Sequence, residues 1–170
     1  MLFFAIQLDE ERVLSQVESY QRAAALLEAG HEREAFKQMK KLARAGYVPA
    51  QCYLGIMYET GECTPMNFKK AEKWHRKAAE HRVAQSQHLL GMIYAEGLVG
   101  EENPALGAEW YRKAAEQGYA GAQYDLGELY YAGRGVEQDF AQAAVWYEKA
   151  AAQGDSRARD RLIEMREGSA

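Results

Sequence analysis

Apolar and small residues recur along this chain at helical spacing, and the whole pattern then returns every 36 residues. Gly55, Gly91 and Gly127 are 36 apart, as are Trp74, Trp110 and Trp146, and Leu54, Leu90 and Leu126. Tyr58, Tyr94 and Tyr130 keep the same step, and so do Gly61, Gly97 and Gly133 and the pairs Ala78–Ala79, Ala114–Ala115 and Ala150–Ala151. A fixed period of this size signals a stacked array of small supersecondary units, each touching only its neighbours. Three full repeats follow, at 47–82, 83–118 and 119–154. Each holds two helical patterns, helix A and helix B, so the chain is predicted to be all-α.

Repeat three shows the logic most clearly. Ala122, Leu126, Leu129 and Tyr130 share one side of a helix A predicted over Ala120–Ala132. Gly127 lets a facing helix approach its backbone. A glycine costs about 1 kcal/mol inside a helix, so its return in every repeat points to a packing role. Gly133-Arg-Gly135-Val makes the turn, and Asp139 is placed to cap helix B. Asn67 and Asn103 occupy the same place, with Pro104 next at the first helical position. His31 stands in that register further upstream. Helix B carries Ala143, Trp146, Tyr147, Ala150 and Ala151 and ends at Gly154; Gly118 and Gly46 mark equivalent left-handed ends.

The pattern extends beyond the full repeats. Residues 8–46 read as an N-terminal helix pair, a longer helix over 8–29 followed by an isolated helix B over 34–46. Residues 155–170 read as a C-terminal capping helix whose charged positions suit the end of an array. The expectation is a single solenoid domain over 1–170 with about nine helices.

The string A-x-x-x-L-G-x-x-Y-x-x-G followed by A-x-x-W-x-x-x-A-A-x-x-G resembles the Sel-one-like repeat (SLR) family. In repeat three Ala122, Leu126, Gly127, Tyr130, Gly133, Gly135, Val136, Asp139, Ala143, Trp146, Ala150, Ala151 and Gly154 carry the likeness. The resemblance implies a right-handed α/α solenoid, a superhelix of antiparallel helices related to tetratricopeptide arrays. It also implies a scaffold or adaptor; such proteins are associated in bacteria with signalling complexes, secretion systems, host interaction and toxin immunity. The family has no common catalytic residues. Repeats one and two depart from the pattern. The second loop glycine is replaced by Cys63 in one and Val99 in the other, Ser86 replaces an alanine, and Arg82 stands where glycine is usual. A bulky left-handed residue costs about 1 kcal/mol or more, so either Arg82 is strained or that turn has another shape.

Charge and composition narrow the function. The formal net charge is -4 and the sequence pI is near 5.6, without the basic stripe that nucleic acid requires. No apolar run reaches the roughly 20 residues of a membrane span. The start, Met1-Leu-Phe-Phe-Ala-Ile-Gln7, lacks the basic head and long apolar stretch of a secretory signal; it reads as a staple for the first helix or the remnant of an apolar segment. A cytoplasmic monomer is expected, or a periplasmic or secreted protein if a leader has been removed. Cys52 and Cys63 on a helix would lie roughly 16 Å apart at the usual rise, too far for a disulfide. No zinc site is expected from so sparse a pair.

Candidate chemistry is thin. His75 takes the place of Tyr111 and Tyr147 and reads as a packing aromatic. His75, His81 and His88 could approach one another near Cys52 to hold a metal, but neither a metal nor any cofactor is the expectation. Glu59 and Glu96 could imitate a carboxylate pair, yet read as solvated helix ends. Gly133-Arg-Gly135 is not a phosphate loop, since no strand precedes it. No nucleophile has a neighbouring base, so no catalytic residue is assigned and the protein is read as non-enzymatic. Lys69, Lys70, Lys73, Arg76 and Lys77 read as a solvated face, with a patch for an acidic partner as the alternative.

The expected function is partner binding. By analogy with tetratricopeptide arrays, helix A positions beside the core line a concave groove: Gln16, Cys52, His88, Tyr124 and Asp160; Tyr20, Ile56, Met92, Glu128 and Glu164; and, on a third ladder, Glu59 and Tyr131. Tyr20, Ile56 and Met92 would make an apolar N-terminal half and the acidic residues around Tyr124 and Tyr131 the other half. The leading reading is an adaptor for another protein or peptide segment. A toxin-immunity or secretion-system accessory protein with one dedicated partner is the alternative, a metal- or ligand-binding protein the third, and self-association through the tryptophan-bearing repeat ends the fourth.

Overall fold

The computed structural model describes the backbone of residues 2–167, with side chains described from residue 11. Among the described residues it is all-α: α1 (Leu2–Glu28), α2 (Glu32–Arg44), α3 (Val48–Thr60), α4 (Phe68–Glu80), α5 (Ala84–Ala95), α6 (Pro104–Glu116), α7 (Ala120–Ala132), α8 (Phe140–Ala152) and α9 (Ser156–Glu167). Helices α3, α5 and α7 are the A helices of the three repeats, and α4, α6 and α8 the B helices. The first helix starts at Leu2 rather than residue 8. The packing expected of residues 1–7 falls outside the described side chains.

The chain forms two compact units, residues 1–78 and 79–170, with the boundary in the last turn of α4. In the first, α1 packs on α2 and α2 on α3; in the second, α5 packs on α6, α6 on α7, α7 on α8 and α8 on α9. A and B helices bury different shares of their surface. Helix α7 buries Ala122, Gln123, Leu126, Gly127 and Leu129, a broad arc at 3.6 residues per turn, whereas α8 buries the narrow stripe Ala143, Tyr147 and Ala150.

One contact per repeat closes the pair. The cap side chains bond the third backbone N–H of helix B: Asn67 to Lys70 (2.9 Å), Asn103 to Leu106 (3.0 Å) and Asp139 to Gln142 (2.9 Å). The backbone N–H of each cap residue donates in turn to the repeated tyrosine of helix A, Asn67 to Tyr58 (2.7 Å), Asn103 to Tyr94 (2.8 Å) and Asp139 to Tyr130 (3.0 Å). The cap therefore ties the end of one helix to the start of the next. His31 occupies the cap of α2 without a side-chain cap bond.

The recurrent helix glycines each face a ring. A Cβ on Gly55 would lie 2.6 Å from His75 Nδ1, one on Gly91 2.6 Å from Tyr111 Cε1, and one on Gly127 2.6 Å from Tyr147 Cε1. His75 is fully buried and does the packing work of the tyrosines.

The turn at Arg82 keeps the shape of its glycine counterparts. Arg82 N–H donates to Ala79 O (2.9 Å), as Gly118 does to Ala115 (3.0 Å) and Gly154 to Ala151 (2.9 Å). Its φ is 60°, so of the two alternatives the strained one holds. Cys63 also takes a left-handed φ of 61°, near the 74° of Gly135 in the same loop position. The repeat-two loop closes differently, with Gly100 N–H donating to Gly97 O at 3.3 Å. Arg134 then clamps that loop, donating to Ala95 O (2.6 Å) and pairing with Glu96 (2.9 Å) and Glu102 (3.1 Å).

Candidate partner-binding faces

In the first unit the A-helix candidates sit on α1 and α3. Gln16, Tyr20 and Ile56 are half-buried. The Tyr20 ring lies 5.6 Å from that of Tyr47, and burial, then the nearby Cys52, pushes its phenol above the ordinary value. Cys52 departs from the expectation: it is 8% exposed and belongs to the core, not to a surface. No disulfide joins it to Cys63. Glu59 is turned inward, its Oε2 3.4 Å from His75 Nε2.

In the second unit the A helices α5, α7 and α9 are cross-linked by their side chains. His88 Nε2 on α5 meets Asp125 Oδ2 on α7 at 2.6 Å, and the His88 ring lies 5.1 Å from that of Tyr119 and 5.5 Å from that of Tyr111. Met92 is half-buried against the core between α5, α6 and α7. Ile56 and Met92 are thus partly covered, not the open apolar patch that the sequence suggests.

The end of this face differs from the acidic surface expected. Arg161 on α9 grips Glu128 on α7 with Nε (2.8 Å) and Nη2 (2.6 Å), and pairs with Glu164 at 3.0 Å. Glu128 also accepts from the Tyr147 hydroxyl. Burial and that bond push the Tyr147 phenol well above its ordinary value. Arg157 lies over the ring of Tyr124 at 4.2 Å and Arg161 over that of Tyr131 at 5.6 Å. Two guanidinium groups therefore sit among the carboxylates; Asp160 and Glu164 are exposed, Glu164 as a partner of Arg161. In the sequence Arg157 and Arg161 belong to the charged positions of the capping helix. Their signal was a spacing of 33 residues, Tyr124 to Arg157 and Glu128 to Arg161, which the search at 36 passes over.

The three buried glutamines were also missed. Gln51, Gln87 and Gln123 each donate from Nε2 to a helix B carbonyl, Ala43 (3.2 Å), Ala79 (3.3 Å) and Ala115 (3.1 Å). Gln117 then donates to Gln87 Oε1 (2.6 Å) and Gln153 to Gln123 Oε1 (2.7 Å). Gln51 Oε1 has no such donor. Position 81, one period before Gln117, is histidine.

Among the described residues no group of three His, Cys, Asp or Glu side chains is placed to hold a metal ion. No described helix is long and apolar enough to cross a membrane.

The family model for the Sel1 repeat matches residues 48–82, 84–119 and 120–155. A protective antigen present in uropathogenic Escherichia coli strains, which displays an SLR fold, is similar with 34% identity and a TM-score of 0.79 over 91% of this chain. A Sel1 repeat protein from Oxalobacter formigenes is similar with 31% identity and a TM-score of 0.78 over 86% of this chain. Helicobacter pylori cysteine rich protein B is similar with 27% identity and a TM-score of 0.59, over 74% of this chain and 95% of that one. The chain spans 35% of the Escherichia coli protein and 62% of the Oxalobacter one. No curated protein matches it.

Proposed function

The chain belongs to the Sel1 repeat family, whose members are generally non-catalytic protein-interaction scaffolds, and from that premise we propose that it binds a partner polypeptide on its A-helix face. The observation that carries the reading is the side-chain lattice of the second unit. Tyr124 and Tyr131 lie half-buried beneath Arg157 and Arg161, with Met92 and His88 on the neighbouring α5 and His88 paired to Asp125 of α7. Tyrosine and arginine dominate binding hot spots, because a ring and a planar guanidinium supply area at small entropic cost. Here packing and ion pairs already hold both in place, so less order has to be imposed on binding.

The matching partner presents apolar side chains to Met92 and the two rings, and a basic group to Asp160 and Glu164 at the far end. Gln16, Tyr20 and Ile56 form the corresponding positions of the first unit and extend the same scaffold role. Catalysis has no place in this reading. The chemistry offered is adhesion through rings, guanidinium groups and a thin set of carboxylates.

The test is photo-crosslinking from a reactive side chain placed at Tyr124 in native lysate, followed by affinity measurement on the captured protein. A Met92→Glu/Tyr124→Ala double variant that keeps its helical signal is expected to lose at least tenfold in affinity. Unchanged affinity overturns the reading.

A further inference from the structure

We infer that the B-helix side of the first unit, the cleft between α2 and α4, is a second docking site, for an acidic polypeptide segment. It is independent of the A-helix reading and uses none of its residues.

The B helices differ sharply in charge. Helix α2 carries five basic and two acidic residues, and α4 the same, whereas α6 carries two of each and α8 one of each. Part of that charge is architectural. Lys41, Lys77, Lys113 and Lys149 share one repeat position, and the last three sit over Trp74, Trp110 and Trp146, at 5.9, 3.8 and 3.9 Å. Lys40 and Arg76 share a second position with Arg112, and most of the remainder is not part of the repeat. Lys37 and Lys73 correspond to Glu109 and Val145, Arg33 and Lys69 to Ala105 and Ala141. These cations are confined to the first unit and lack a packing reason shared by the array.

Part of the basic charge of α2 and α4, Lys73 included, converges on one cavity. Lys40 and Arg44 from α2 and Lys70, Lys73 and Lys77 from α4 line a cleft of about 500 Å³ with Tyr58 and Trp74 in its wall, and no carboxylate lines it. Lys70 Nζ lies 5.2 Å from the centre of the Tyr58 ring, so a ring partly fixes the ammonium at the mouth. A wider basic cleft adjoins α2, lined by Arg22, Arg33, Lys37 and Lys41, with Glu34 the one acid among its described residues. Like charges brought this close raise the local potential, and an anionic ligand relieves it.

The cleft also selects the kind of anion. Gln51 lines it, is 5% exposed, and is anchored through Nε2 to Ala43 O. Its Oε1 has no donor, while its counterparts Gln87 and Gln123 receive one. A buried acceptor without a donor favours a ligand that brings N–H groups. A polypeptide rich in Asp and Glu brings both N–H donors and carboxylates. A phosphodiester or polyphosphate chain brings acceptors alone.

The experiment uses the full chain and a fluorescein-labelled deca-glutamate peptide, read by anisotropy at low and physiological salt. The peptide is expected to bind and to weaken as salt rises. A Lys40→Glu/Lys73→Glu variant is expected to lose at least tenfold in affinity. A Lys113→Glu/Lys149→Glu variant, with the same net charge but altered on α6 and α8, is expected to bind as the parent does. Circular dichroism and melting keep both variants interpretable. Absence of peptide binding, equal loss in the two variants, or binding of polyphosphate, oligothymidylate or phosphatidylserine vesicles as tight as that of the peptide would each overturn the inference. Loss of the A-helix partner, tested with Met92 and Tyr124, leaves it untouched.

Discussion

Tyr147 packs against the backbone of Gly127, so close that a single methyl group cannot be interposed: the nearest ring carbons stand 2.6 and 2.8 Å from where a Cβ would be. Tyr147 is itself fully buried. Replacing Gly127 with alanine sets two effects against each other. Alanine is better in a helix by about 1 kcal/mol, but forcing a methyl into a filled core costs about 1–3 kcal/mol. The ring cannot swing away, because its hydroxyl is held by Glu128. Gly127→Ala is expected to destabilise by up to about 2 kcal/mol, a fall of up to about 8 °C in Tm. A Tm at or above the parent value would contradict this packing account.

Arg82 gives the opposite sign. Its φ of 60° is the conformation glycine adopts at 118 and 154, and a Cβ there costs about 1 kcal/mol. Arg82→Gly is expected to stabilise by up to about 0.6 kcal/mol after the added freedom of the unfolded chain is discounted. Arg82→Ala keeps the Cβ and should gain nothing, which separates backbone relief from loss of the charge. Thermal melting of the two variants decides the matter.

The fold was legible because its signals repeat. A lone Asn103 before Pro104 is a modest cap signal, but Asn67 and Asp139 at the same step made it firm, and all three caps are bonded as expected. The surface was less legible for the same reason. Stepping by 36 finds what the repeats share, and a binding face is made of what they do not share. The step of 36 puts Cys52 on one ladder with His88 and Tyr124, yet the smaller side chain sinks into the core where the two rings stay half-buried. The acidic end was overestimated because Arg157 and Arg161 reach back across the helix pair, through bonds that no single-repeat pattern contains. Arg82 was undecidable, since sequence shows an unfavourable residue but not whether the turn yields.

Asp155 caps α9 through Ala158 N–H (3.2 Å) and pairs with Arg157 (2.8 Å). The Arg157 hydrogen bond, helped by the backbone bond from Ala158, holds its carboxyl below the ordinary 3.8. A depressed carboxylate contributes stability that is complete above its unfolded value and is lost as pH falls through the folded one. Asp155→Ala is expected to cost about 1 kcal/mol at pH 7, with the gap constant above pH of about 5 and shrinking below about 3.8. Melting of parent and variant in parallel across that range checks the sign; a gap that widens in acid would refute it.

Glu128 and Arg161 should be coupled, and unequally exposed to loss. Removing Arg161, as Arg161→Met, breaks a part-exposed pair and is expected to cost less than about 1 kcal/mol. Glu128→Ala also strips the acceptor from the Tyr147 hydroxyl and is expected to cost about 1–3 kcal/mol. The double variant should cost less than the sum of the two, and a double-mutant cycle by urea unfolding reads the difference. Strict additivity would mean that the two side chains act separately.

The glutamine chain implies a rule for growth. Gln117 satisfies Gln87 and Gln153 satisfies Gln123, each across 30 residues. Each block of 36 therefore delivers a donor at its end for the acceptor near its own beginning. A duplicated block would arrive with its internal account already closed, so tandem copying of the coding segment can lengthen such a chain without new buried polar atoms having to be repaired by later mutation. In the block that begins at residue 47 histidine stands at 81, where the later blocks have glutamine, and a copy of that block would carry the unanswered acceptor with it.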